Sequence, residues 1–524
     1  MKTLSIALVV LIALLFAVAW VPLVEARNDW RAGQNAEAIQ TAERWSALHL
    51  WPGEYHQVLA AAFLTAGNAS AAQPHLAAID HAWISAIDKD EVARRLFARG
   101  RYADFLAYDA ASHERHDSDD VRLYRAAAQT VANQINPATA TFGSINAANV
   151  DKQKYDLLRA AIDRRKRGDP LPLLFDRSNA NIDGDPGFAP IAQAITSRVD
   201  RNATVDTTLD PFVQKAALTA LGKHRGALVA IDPITNEILA IANSGGPENR
   251  AFDRQYEPGS VIKVLTGLNA LSNGTDVNAM FPYECKGFLD IDGRRFGDWV
   301  PSGHGRLNSI DDALAVSCNV FFADLGLRVG RDKLEQFMRS AGFDQQINLG
   351  IFQVPLGRIT GDVFNNFETG FLAIGLEHEQ INAIHLAMLA SMMANRGELT
   401  TPRLVRERRS ILGEVVENAT PQGKTRIASA AAAEKMIAAM QAVATEPNGT
   451  GRRAPVEGIS IAMKTGTAGV RQEGLDGLIM AFAPVDHPKI AFGVIAEGAG
   501  PAEFAGAQIA HDFLELMKGR ISER

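Results

Sequence analysis

Cysteine is nearly absent: Cys285 and Cys318 are the two in 524 residues. That is too few for a disulfide framework or a Cys-rich zinc site. A long basic run is also missing. The tetrad Arg164-Arg165-Lys166-Arg167 is short and reads as a solvated helix face, and a net charge of -7 argues against a nucleic-acid partner. No His-Glu-x-x-His spacing occurs in "HEQINAIH", so His378 and His385 read as ordinary helix residues. Neither a metal nor a cofactor is expected. Long apolar runs are missing too, with one exception. Leu4 to Val24, "LSIALVVLIALLFAVAWVPLV", is 21 residues without a charge, enough to cross the hydrocarbon core as a helix. Lys2 before it favours a cytoplasmic N-terminus. The rival reading is a cleaved signal peptide ending near Val24-Glu25-Ala26; the length of the apolar core favours the anchor. Either way the rest of the chain is exported, with a single pass at most.

What remains is globular in composition, 47% hydrophobic and 22% charged, and long enough for two or three domains. After residues 1–26, residues 27–168 are Ala-rich with helical periodicity. Gly33, Gly67 and Gly100 stand at turn signals, and Asn133 continues the series at spacings of 34, 33 and 33 residues. Asn is the other residue that tolerates a left-handed turn. This is the period of helix–turn–helix repeats, and the stretch resembles tetratricopeptide repeats, with Trp51-Pro52 where such repeats often close. Residues 169–204 collect Pro, Gly, Asn and Asp and read as a linker. From 205 to 524 the pattern is mixed. "GALVAI" and "ILAIA" form a hairpin, strand-like runs recur at Ile459–Ala462, Leu478–Ala483 and Ile490–Ala496, and helices lie between. Strands from both ends of a domain predict one antiparallel sheet flanked by helices with a helical insertion, an α+β fold.

Three short motifs occur in order within this part. Ser260-Val-Ile-Lys263 follows Glu-Pro-Gly at the mouth of a helix, where i and i+3 share a face. Free N–H groups at a helix start favour nearby negative charge, so a serine there can serve as nucleophile. Ser317-Cys318-Asn319 falls at a break between two apolar helical segments, and Lys464-Thr465-Gly466-Thr467 at the end of a strand-like run. Together they are the set of penicillin-binding proteins and class A β-lactamases. Over roughly 205–518 the chain resembles the penicillin-binding protein transpeptidase domain, in "GALVAIDPITNEILAIANS", "YEPGSVIKVLTGLNAL", "HGRLNSIDDALAVSCNVFFADLG" and "FAPVDHPKIAFGVI" among others.

That resemblance implies an exported serine acyltransferase acting on peptidoglycan stem peptides ending in D-Ala-D-Ala and inhibited by β-lactams. Ser260 would be the nucleophile and Lys263 its base. Ser317 would relay a proton, Asn319 would hold the substrate amide and Lys263, and Lys464 would supply positive charge. Thr465 and Thr467 would bind the terminal carboxylate, with the Ser260 and Thr467 N–H groups as oxyanion hole. Gly466 would keep the cleft open. Cys318 is expected to be a buried thiol pointing away from the site; a Cys285–Cys318 disulfide stays open. His304 would shape the rim. No Glu-Asp dipeptide occurs, so the glycosyltransferase pair of bifunctional members is missing. No Arg-Gly-x-Ile-x-Asp-Arg-Asn-Gly pedestal segment occurs either; helical repeats stand there, and a protein partner through 27–168 is expected. The rivals are a D,D-carboxypeptidase, a β-lactamase (disfavoured because this chain has no Glu-x-x-Leu-Asn run between Asn319 and Lys464), and a non-enzymatic β-lactam sensor.

Overall fold

The computed structural model describes residues 2–522 except 49, 80–85, 113–116, 169–173, 179–181, 183–187, 190–203, 247, 350–352, 362–364, 419–422 and 470–473. The expected linker 169–204 thus lies largely outside the described residues. The chain forms two compact units: residues 1–173, 200–205 and 407–418, and residues 174–199, 206–406 and 419–524.

The first unit is helical. Its elements are α1 (Lys2–Arg31), α2 (Asn35–Ser46), α3 (Pro52–Thr65), α4 (Ala69–Leu76), α5 (Lys89–Phe97), α6 (Tyr102–Ala111), α7 (Asp119–Val131), α8 (Ile135–Gly143) and α9 (Lys152–Lys166). The apolar N-terminal run and the first turn-forming helix are one element, so no break falls at residue 26. Gly33, Gly67, Gly100 and Asn133 sit between α1 and α2, α3 and α4, α5 and α6, and α7 and α8, with φ of 84°, 89°, 67° and 60°. The same backbone bond closes all four turns. The N–H after the left-handed residue reaches back five positions: Gln34 to Asp29 O, Asn68 to Phe63 O, Arg101 to Leu96 O and Gln134 to Gln129 O, at 2.8–2.9 Å. This bond satisfies a carbonyl that the helix end leaves orphaned, and it needs a residue that tolerates positive φ.

Trp30, Tyr55, Phe97, Phe105 and Tyr108 fill the core of this unit. A segment from far downstream completes it. Strand residues 407–409 and 415–418 pair as an antiparallel hairpin. At its tip Ile411 and Leu412 are buried in the same cluster as Leu123, Tyr124, Leu158 and Ile162. Glu414 accepts from Lys154 Nζ at 2.6 Å and from the Tyr124 hydroxyl. The reading from sequence assigned this hairpin to 205–524, because nothing local in "RRSILGEVV" names its partner.

The second unit is built on five strands: β1 (Gly226–Ile231), β2 (Ile238–Ser244), β3 (Ala462–Ala468), β4 (Asp476–Ala483) and β5 (Ile490–Ala496). Their order is β3-β4-β5-β1-β2, antiparallel throughout. The first hairpin and the last strand meet with Ala491 opposite Ile231 and Ala496 opposite Gly226. The third strand runs 462–468 rather than 459–462, so Lys464 to Thr467 lie inside it and pair with Met480 to Gly477. Polar Lys-Thr-Gly-Thr breaks the apolar pattern on which a strand reading relies. β1 and β5 are buried along their whole length, as strands covered on both faces must be. Phe492 meets Phe513 of the C-terminal helix Ala505–Ile521 at 5.2 Å between ring centroids. A Cβ on its neighbour Gly493 would lie 2.6 Å from Leu386 Cβ in helix Ala383–Ala394. Successive residues face opposite ways in a strand, so these two helices cover opposite faces of the sheet.

Ile411 and Leu412 fix one expectation. Truncation of a buried Ile or Leu to Ala costs about 2–5 kcal/mol. Ile411→Ala and Leu412→Ala should each lower the unfolding free energy of the helical unit by that amount, and with it the urea midpoint, followed by tryptophan fluorescence of the full chain. An unchanged midpoint would remove the hairpin from the core.

Candidate active site

Ser260 lies in the one-turn 3₁₀ segment Gly259–Val261, which runs directly into α10 (Ile262–Ser272). Lys263 is on the first turn of that helix. Its side chain is fully buried, and Nζ donates to Ser317 O at 2.7 Å, Asn319 Oδ1 at 2.6 Å and Ser317 Oγ at 3.3 Å. Lys464, also fully buried, reaches the same hydroxyl from β3. Its Nζ donates to Ser317 Oγ at 3.0 Å, Thr465 O at 2.9 Å and Thr465 Oγ1 at 3.3 Å. Thr465 Oγ1 meets Thr450 Oγ1 at 2.7 Å. Lys263, Ser317, Asn319, Lys464 and Thr465 thus form one hydrogen-bonded cluster, assembled from a helix, a helix break and a strand.

The electrostatics follow from burial. Lys263 is brought down to about 8 by desolvation, against the opposing pull of Asp298 and Cys318. Lys464 lies well below the ordinary lysine range, first through burial and then through the neighbouring Lys263. Two buried amines on one hydroxyl disfavour a second positive charge.

Ser317 joins the short helix Ile310–Ala315 to α11 (Asn319–Val329), with φ of 56°. A non-glycine residue in this region costs about 1–2 kcal/mol. Its surroundings hold it. Asp298 Oδ2 accepts from the N–H groups of Asn319 at 2.8 Å and Val320 at 3.2 Å, and Oδ1 meets His304 Nε2 at 3.0 Å. Burial alone would raise Asp298, but His304 and the backbone N–H groups of Val300 and Val320 hold its carboxyl well below the usual range. His304 therefore anchors the support of the site. Asp298 went unnoticed in the sequence because "FGDWV" has no motif character.

Cys318, buried, donates to Cys285 Sγ at 3.4 Å, and both thiols are free. That bond brings Cys285 down to about 6. Cys285, Asp298 and Cys318 place their donor atoms within 4.8 Å of one another, the one such group of three among the described residues; it could hold a soft divalent ion. His385, by contrast, is a core residue, bonded to Gly357 N–H at 3.0 Å and to Ala341 O at 3.0 Å.

Glycines bring the third motif against the Ser260 turn. A Cβ on Gly466 would lie 2.4 Å from Pro258 O and 3.0 Å from Val261 Cγ1. Gly466 is thus required by close packing of β3 on the Ser260 turn, not by clearance of an open cleft. A Cβ on Gly259 would meet Thr467 O at 2.7 Å and Thr467 N at 3.1 Å, and one on Gly375 would meet Gly259 O at 2.1 Å. Thr467 Oγ1 accepts from Ala502 N–H at 3.0 Å.

The family model described as "Penicillin binding protein transpeptidase domain" matches residues 226–518. The chain belongs to that family. It is 29% identical over 357 residues to peptidoglycan D,D-transpeptidase PbpA of Mycolicibacterium smegmatis, covering 59% of this chain and 70% of that one. It is 30% identical over 390 residues to peptidoglycan D,D-transpeptidase MrdA of Acinetobacter baumannii, covering 63% of this chain and 57% of MrdA. Among solved structures, penicillin-binding protein A of M. tuberculosis as a ceftriaxone acyl-enzyme superposes with a TM-score of 0.55 at 25% identity. That match covers 62% of this chain and 82% of the other.

Gly375 and Gly274 share a φ of 81°, but nothing lies within 4 Å of a Cβ on Gly274. Gly274→Ala should therefore cost only the left-handed penalty of about 1–2 kcal/mol. Gly375→Ala adds an overpacking cost of about 1–3 kcal/mol. Urea denaturation of the two variants should rank Gly375→Ala as clearly less stable; equal values would mean that the turn does not press on Gly375.

Proposed function

We propose that this chain is a membrane-anchored D,D-transpeptidase of peptidoglycan synthesis that forms an acyl-enzyme on Ser260. The observation that carries this reading is the single Ser317 hydroxyl contacted by both Lys464 and Lys263, the latter three residues from Ser260 along the chain. Lys263 takes the Ser260 proton, which a lysine at about 8 can do near neutral pH. The Ser260 oxygen attacks the carbonyl of the penultimate D-Ala. The developing oxyanion is met by the N–H groups of Ser260 and Thr467, whose backbones the glycine contacts bring together. The peptide C–N bond breaks, and the departing D-Ala amine takes a proton through Ser317, set between the two lysines. An acceptor amine from a second stem peptide then attacks the ester and releases Ser260. Asn319 orients Lys263 and the substrate amide. Lys464, Thr465 and the Thr467 hydroxyl, whose own proton remains available to donate, bind the terminal carboxylate. Release by water, as in a carboxypeptidase, uses the same acyl-enzyme. The names of the relatives favour an amine acceptor.

The β-lactam reading rests on the same groups. The M. tuberculosis relative forms acyl-enzymes with ceftriaxone, imipenem and penicillin G. The anchor reading is supported by α1, whose span Val9–Arg31 holds a window long and apolar enough to cross a membrane and which exposes Val9, Leu14, Val18 and Val21. The catalytic residues then lie on the outer side of the cytoplasmic membrane. The repeated turn bond at 33- and 34-residue spacing supports a tetratricopeptide-like helical unit. Part of its apolar surface is already taken by Ile411 and Leu412, so a protein partner would use the exposed helix faces.

Fluorescent penicillin should form one covalent adduct, on Ser260, and Ser260→Ala should abolish it without changing the melting temperature. Lys263→Ala should acylate about 10²–10⁴-fold more slowly. An adduct mapped elsewhere would overturn the assignment. The pH dependence has a defined sign. The base works when neutral, and burial moves that form down to about pH 8. The wild-type acylation rate should therefore rise with pH and level off near 8. A rise continuing past about 10, the ordinary lysine value, would mean that Lys263 is not the base.

A further inference from the structure

The helical unit carries an apolar patch where α1 meets the loop before α3. Trp51 and Tyr55 are fastened to the upper part of the apolar helix. The indole N–H of Trp51 donates to Phe16 O at 3.1 Å, and the Tyr55 hydroxyl donates to Ala19 O at 2.7 Å. The Trp51 ring stands edge-on to Phe16 and to Trp20, with centroids 5.4 and 5.2 Å away. Trp51 holds this place in the left-handed region, φ 57° and ψ 46°, a cost that only its surroundings can sustain. Beside it Leu48 is 55% exposed, and Leu50 is half-buried.

Lengths place this patch. Between Lys2 and Glu25 the helix has no charge, and Leu4 to Val24 is 21 residues. At 1.5 Å per residue that run is about 32 Å long, against a hydrocarbon core of about 30 Å. There is no slack. A bilayer around α1 must therefore reach past Phe16 and Ala19, the residues that Trp51 and Tyr55 grip. Along this stretch α1 is buried on one side at Ala19 and Leu23 and open on the other at Val18 and Val21, the last 66% exposed. The Trp51 indole N–H and the Tyr55 hydroxyl, which meet α1 there, are both hydrogen-bonded, as lipid depth demands.

We propose that Leu48, Leu50 and Trp51 form a wedge that enters the outer leaflet beside α1, so that the helical unit is seated in the lipid surface and not merely tethered above it. The proposal rests on the anchor reading above. Tryptophan at the headgroup level with leucine beside it is the composition of a membrane-interface contact.

The full chain is tested in vesicles of phosphatidylethanolamine and phosphatidylglycerol. Leu48→Cys, Leu14→Cys and Lys152→Cys are labelled singly with a nitrobenzoxadiazole thiol probe. All three positions are exposed, so no cavity opens, and Cys285 and Cys318 are buried; the unsubstituted chain sets the background. The Leu48 probe should shift to the blue and lose emission when doxyl-labelled lipid is added, as the Leu14 probe does, while the Lys152 probe does neither. A Leu48 probe that behaves like Lys152 while Leu14 is quenched overturns the wedge and leaves the anchor intact. An unquenched Leu14 probe overturns the anchor, and the wedge with it.

Discussion

Two fully buried lysine amines converge on one serine hydroxyl, and much of the second unit is arranged around that contact. A buried amine must be given acceptors or lose its proton. Here both happen. Ser317 O, Asn319 Oδ1 and Thr465 O accept from the two amines, and both lysines move below their ordinary range. Ser317 must present its carbonyl and its hydroxyl to the same small volume. A helical residue cannot do so, because its carbonyl is committed along the helix axis. The break at Ser317 and its positive φ follow from that demand.

The cost of the break is met next door. Asp298 supplies the acceptor that the first N–H groups of α11 lack, and His304 fixes Asp298 in turn. Cys318 accepts from Phe321 N–H at 3.3 Å at the same helix start. On the opposite side the Ser260 turn is pressed between two backbones that can approach it only through glycine, Gly375 and Gly466. The position of Ser260 is therefore set by main chain, whose geometry is stiffer than that of side chains. The proposed oxyanion site at Ser260 and Thr467 would need preorganisation of this kind.

Which of these features could be read from sequence depends on how local they are. Ser260 and Lys263 are three residues apart on one helix, and Lys464 to Thr467 are contiguous, so their motifs announce them. Asp298, Thr450 and Gly375 are brought to the site by long-range packing and carry no local mark. The left-handed turns at Gly33, Gly67, Gly100 and Asn133 were legible because few residue types tolerate positive φ. Ser317 and Trp51 adopt the same region without a permissive side chain and gave no such signal. The sheet's pairing of strands from both ends of the domain was legible in the apolar runs; the true extent of β3 was not, because polar Lys464, Thr465 and Thr467 stand in its centre.

The hairpin at 407–418 shows the same limit at a larger scale, and it bears on how the helical unit folds. Helical hairpins joined by short turns form mostly local contacts, which favours fast folding. Ile411 and Leu412 join the buried cluster of Leu123, Leu158 and Ile162 from far along the chain, and Lys154 and Tyr124 find in Glu414 the partner for their polar ends. During synthesis α7 and α9 are made long before that segment exists. Their apolar surface must then stay uncovered until it arrives. The four turns can close early by their own backbone bonds, whereas the core of the last helices is completed late. A helical unit whose apolar surface is finished by its own chain has correspondingly less of it to offer to another protein, which moves any partner contact to the polar, exposed faces of the helices.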